Sequence, residues 1–132
     1  MREAKVLLAE IEATIKKLLA SNGGVRGVET FTVVVTDAGF SPRELTIKAG
    51  DTVAWVNKST RASRPASAIH PTHTLYPGSD IQKCRTDERN TIFDSCSDVQ
   101  PGESWSFTFR EVGSWKYHNH LQSSVTGAII VQ

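Results

Sequence analysis

The sequence predicts an all-β domain, a sandwich of short antiparallel strands. Two observations carry that prediction. From residue 28 onward apolar side chains recur with a period of two, and turn-forming pairs interrupt the pattern at short intervals. A third observation marks its limits: an N-terminal stretch has helical spacing, and one long internal interval follows neither rhythm.

In chain order, residues 2–20 place Leu7, Leu8, Ile11, Ile15, Leu18 and Leu19 at the spacing of an amphipathic helix, which Asn22-Gly23-Gly24 stops. Its polar face mixes both charge signs, which suits packing over one end of the domain, or homo-oligomer formation, better than a membrane surface. Residues 1–24 therefore form a helix and Gly-rich cap, and residues 25–132 the β domain. Within that domain "VETFTVVVT" alternates Phe31, Val33 and Val35, and "RELTIKAGDTVAWVN" alternates Leu45 and Ile47, then Val53 and Trp55. "ESWSFTFRE" sets Trp105, Phe107 and Phe109 on one face, and "SWKYHNH" and "TGAIIVQ" complete the set. Gly50-Asp51, Pro101-Gly102 and Val112-Gly113 supply turns.

The 132 residues suffice for one domain with its own core, and no apolar run is long enough to cross a membrane. A net charge of +1 gives no electrostatic basis for binding nucleic acid. Nothing resembles a phosphate-binding glycine loop or a Ser-His-Asp arrangement. Between Asn57 and Gly102 no convincing strand is visible, and intervals that long are usually functional or disordered. Cys84 and Cys96 fall inside it with eleven residues between them, a spacing that suits a disulfide-closed loop rather than zinc, with two free thiols as the alternative. Such a closure contributes roughly 3 kcal/mol in the chain-entropy treatment and argues against disorder. It also implies an extracytoplasmic setting, periplasmic or secreted. The N-terminus lacks a secretory h-region, so that setting assumes a removed signal or another export route.

The chain has four histidines, and two of them, His118 and His120, stand one residue apart near its end. On a strand, Trp115, Tyr117 and Asn119 share one face and Lys116, His118 and His120 the other. If the aromatic pair enters the core, both imidazoles project away from it, about 7 Å apart at Cα and within reach of one ion. The alternative is a polar outer face that happens to carry two histidines. His70 and His73, in "HPTH", have the same bland alternative as solvated loop residues. Asp94, Asp98, Glu103, Arg61 and Arg64 read as solvated loop charges, with one carboxylate accepting a ligand N–H as the less common case.

Three phrases, "FSPRELTIKAGDTVAWVNKS", "PGESWSFTFREVGSWKYH" and the final "GAIIV", resemble the cupredoxin family of copper proteins across roughly residues 28–132. The resemblance implies a Greek-key β-sandwich with a metal site at one end. It also implies that the family's blue-copper site is missing: the positions of its His, Cys, His and Met fall on about Ser63, Asn119, Gln122 and Val125. Without a thiolate there is no blue centre. "KYHNHL" instead looks like the segments of multicopper oxidases that send two histidines away from the domain core, and "AIHPTHTLYP" fits the part of a second pair.

All four histidines thus lie in the two segments such a fold would use for metal. The expected ligand set is His70, His73, His118 and His120, holding one copper per chain, with zinc or nickel as competitors. Four imidazoles without sulfur suit a mononuclear type 2-like Cu(II) site in electron transfer or copper carriage, with a redox partner or copper donor that the sequence does not identify. Two alternatives stay open: a copper oxidoreductase at an open or oligomer-interface site, and a metal-free interaction module on the same scaffold.

Overall fold

The computed structural model describes residues 27–132; the helix expected over residues 2–20 and its cap lie outside them. The alternation read from the sequence becomes two facing sheets of four strands each among the described residues. The first runs β2 (Gly39–Ser41), β1 (Thr30–Thr36), β4 (Thr52–Asn57), β6 (Ser104–Thr108). The second runs β3 (Glu44–Ile47), β8 (Gln122–Val131), β7 (Gly113–Asn119), β5 (Pro65–Ser67).

The sheets are mixed rather than purely antiparallel: β1 pairs with β4, and β3 with β8, in parallel. The chain leaves the first sheet after β2, contributes β3 to the second, and re-enters the first as β4 beside β1. A crossover of this kind makes parallel neighbours, and a period of two cannot reveal it, because side chains alternate in the same way in both pairings.

Inward residues of both sheets meet around Trp55, which is fully buried with Phe93, Phe109 and Tyr117 about it. Each such side chain contributes about 1.5–3 kcal/mol through removal from water. Tyr117 packs across the β7–β8 pair onto its partner Gly127, where a Cβ would stand 2.6 Å from the ring. Only glycine leaves the ring that space.

The long interval is ordered and not strandless. It holds β5, two short 3-10 helices, Ile81–Arg85 and Asp87–Asn90, and the Cys84–Cys96 disulfide. The side chains of Asp80 and Thr86 accept N–H donors at the two helix starts. Tyr76, Ile92 and Phe93 anchor the interval by entering the interior, and the Tyr76 hydroxyl accepts from the N–H groups of Arg110 and Glu111. Residues 92–95 return alongside β5, with Ser67 N–H donating to Phe93 and Ser95 N–H to Pro65. That return places a loop carboxylate next to the histidines.

Candidate metal centre

Two elements deliver the histidines. Strand β7 carries Tyr117 into the core and His118 to the opposite side, and a register irregularity separates His118 from the last pair of the ladder, Asn119 with Gln122. His120 follows in the turn, where its N–H donates to Arg64. His70 and His73 come from the turn after β5, closed by a 2.7 Å bond from His73 N–H to Ile69. His73 sits there at φ 59, a left-handed conformation that non-glycine residues seldom hold without surrounding support.

The four imidazoles converge. His73 Nε2 lies 3.1 Å from His118 Nε2 and 2.9 Å from His120 Nδ1, and His70 Nδ1 lies 3.3 Å from His118 Nε2. One ring nitrogen from each residue falls within 4.8 Å of all the others. Ring centroids trace the circuit 70–118–73–120 with sides of 4.7 to 5.2 Å and both diagonals 6.3 Å. The outline is nearer a square than a tetrahedron, in which all separations would be equal. Nitrogens bound at about 2 Å to one ion would sit about 2.8–4 Å apart, so this donor set fits a first-row metal.

Exposure grades across the cluster: His73 and His118 are buried, His120 is half-buried and His70 is exposed. Burial, reinforced by repulsion from the neighbouring rings of His73, His70 and His120, pushes His118 down to about 4. Burial and the Arg64 charge also lower His120. Those two rings therefore keep their lone pairs at neutral pH, as ligation requires.

The orientation of His73 comes from Asp94, a residue that reads as a solvated turn acid in the sequence and is 1% exposed in the fold. His73 Nδ1 donates to Asp94 Oδ2 at 2.6 Å, which turns Nε2 toward the other imidazoles. The carboxylate is held in turn by Arg64, at 3.1 and 3.3 Å, and by the N–H of Cys96 at 2.7 Å. Burial works against its charge, but the hydrogen bonds from His73, Arg64 and Cys96 outweigh burial and keep Asp94 below the usual carboxylate range. Arg64, too, is a pinned partner rather than a free loop charge. The sequence carried one usable signal for Asp94: it follows an aromatic residue, Phe93, and precedes Cys96 of the expected disulfide by two residues.

On the other side of the same strand end, Ser63, Asn119, Gln122 and Val125 line one cavity of about 450 Å³. These are the positions where the resemblance puts a thiolate-centred site, so the register is consistent, and none of them carries sulfur. The Asn119 side-chain oxygen Oδ1 accepts from the N–H groups of Arg64 and Leu121, and the buried Ser63 hydroxyl has no partner.

No family model matches the sequence. A plastocyanin from Scenedesmus fuscus is 30% identical over 95 residues, spanning 70% of this chain and 86% of that protein. Among solved structures, a purple cupredoxin from Nitrosopumilus maritimus aligns with a TM-score of 0.59 at 18% identity, covering 77% of this chain and 99% of that one. Amicyanin from Paracoccus versutus aligns with a TM-score of 0.57 at 22% identity, over 78% of this chain and 81% of that one. At such identities the solved structures speak for the fold.

Proposed function

The chain belongs to the cupredoxin family, whose fold suggests copper binding and electron transfer, and we propose that it holds a single copper ion with His70, His73, His118 and His120. The observation that carries this reading is the convergence of four ring nitrogens within 4.8 Å of one another, while the family's sulfur-bearing positions are occupied by Asn119 and Val125. The near-square outline of the rings favours tetragonal Cu(II), with nickel and then zinc as competitors. Asp94 fixes the tautomer of His73, buried His118 remains neutral, and exposed His70 forms the edge through which electrons or copper would pass. The metal would supply a one-electron couple, or itself be the cargo. The partner on the other side of that exchange is a redox protein or a copper donor. The disulfide supports work in an extracytoplasmic compartment.

Titration of metal-free protein with Cu(II), followed by electron paramagnetic resonance, tests the reading. The expected result is one equivalent bound, a nitrogen-rich type 2 signal and weak colour. Absence of stoichiometric binding would leave the metal-free interaction module.

A second reading rests on a separate observation. A cleft of about 900 Å³ opens beside His70 and His118 and is lined by Arg43 and Lys116. A copper oxidoreductase acting on a small anion would use such a space. Turnover of small anionic reductants or nitrogen oxides by the copper-loaded protein, inhibited by Lys116→Ala, distinguishes it from carriage.

A further inference from the structure

Cys84 and Cys96 are each half-buried, and both ends of the bond between them touch the machinery that orients His73. At one end Arg64 Nη2 stands 3.5 Å from Cys84 Sγ while the same guanidinium holds Asp94. At the other end Cys96 donates its N–H to Asp94 Oδ1, and it does so from φ 60, a left-handed conformation uncommon for a non-glycine residue. Sγ of Cys84, Sγ of Cys96 and the Asp94 carboxylate all lie within 4.8 Å of one another. The carboxylate that sets His73 is therefore hydrogen-bonded by Cys96 directly and linked to Cys84 through Arg64.

We propose that the Cys84–Cys96 bridge is a thiol-exchange site, opened by a dithiol reductant, whose state sets how firmly His73 is held at the histidine cluster. The inference rests on the reading of those histidines as metal ligands. A reductant thiolate attacks Cys96 Sγ and forms a mixed disulfide. The Cys84–Cys96 bond breaks, and its electron pair leaves on Cys84 Sγ. The Arg64 guanidinium favours that departure, since a cation beside a sulfur stabilises its thiolate and a stabilised leaving group departs faster. The second thiol of the reductant then attacks its own sulfur in the mixed disulfide and frees Cys96. The protein has gained two electrons and, once both sulfurs are protonated, two protons; the reductant departs as a disulfide. Opening has two consequences for Asp94. Arg64 faces a separate thiol at Cys84 in place of the bridged sulfur, and Cys96, no longer tied to Cys84, is free to leave φ 60 and withdraw its N–H. Both loosen the carboxylate and, through it, His73. Loss of such a supporting contact typically costs 10–100-fold in metal affinity.

The test uses the full-length protein. Wild type is first titrated with Cu(II) in a chelator competition; failure to bind there overturns the functional reading and leaves the exchange chemistry to be judged on its own. Dithiothreitol followed by iodoacetamide should add two alkyl groups while the far-ultraviolet circular dichroism stays native, and Arg64→Gln should slow the opening about tenfold. A bridge that opens only when the fold is lost overturns the proposal. The pair Cys84→Ser and Cys96→Ser should weaken Cu(II) binding about tenfold, Asp94→Asn should do the same, and the triple variant should lose no more than either alone. Additive losses, or an unchanged affinity in a folded bridge-free variant, overturn it. If the serine variants do not fold, the ring resonances of His73 in metal-free wild type decide: they should shift on opening of the bridge, and unmoved signals overturn the proposal.

Discussion

Two places on opposite sides of one strand end were available for a metal, and they are built to different standards. At the histidine cluster each imidazole has a neighbour within 3.3 Å, His73 is braced by Asp94, and Asp94 by Arg64 and a backbone N–H. At the cavity lined by Ser63, Asn119, Gln122 and Val125, the Asn119 side chain serves the local backbone, and the Ser63 hydroxyl is buried without a partner. Successive side chains of β7 point to opposite sides, so a shift of one residue separates the two outcomes. The difference teaches that the scaffold sets where a site can be, whereas the surrounding hydrogen bonds distinguish a braced cluster from an unbraced cavity.

The sharpest way to break the comparison is to truncate one side chain on each side. His118→Ala should weaken Cu(II) binding by more than a hundredfold in a competition assay, whereas Ser63→Ala should leave it within a factor of two. Equal effects would mean that the cluster is not the site. A constructive version follows: Ser63→His, Asn119→Cys and Gln122→His together should create a second copper site with intense visible absorption from a thiolate. A folded triple variant that stays colourless with copper would show that the cavity is not shaped as its register suggests.

Protons offer a milder probe. His118 titrates near 4 in the fold against about 6.5 in the unfolded chain, so between those values the unfolded chain binds more protons. This contribution to the stability of the metal-free protein is complete above pH 6.5, falls as the pH drops through that window, and is gone below about 4. The melting temperature should fall by several degrees between pH 7 and 4.5, and by less in His118→Gln. A pH dependence unchanged by that substitution would contradict the assignment. The smallest effect on the site itself belongs to Gly127→Ala, which crowds Tyr117 and should cost about 1–3 kcal/mol in urea denaturation while copper affinity hardly moves. A large loss of affinity there would tie the core to the site more closely than the geometry does.

The sandwich was legible because Val33, Val35, Val53, Trp55, Phe107 and Phe109 alternate, and all six are buried. The histidines were legible because they occupy two segments and no others. What escaped was everything decided by tertiary approach. The parallel pairing of β1 with β4 has the same period as an antiparallel one. Tyr76 and Phe93 sit in a polar interval whose composition reads as loop, yet the core needed their rings. Asp94 and Arg64 looked solvated because the cost of burying a charge is usually prohibitive, and only the fold reveals that each has the other. The expectation for residues 2–20 remains a proposal about self-association.

Phe93 and Asp94 are adjacent, one locked between the sheets and the other gripping His73. Packing of the interior and alignment of the imidazole are therefore coupled: the same backbone that seats the phenyl ring presents the carboxylate that orients His73. Metal would arrive at a finished receptacle, and its departure would leave the protein standing.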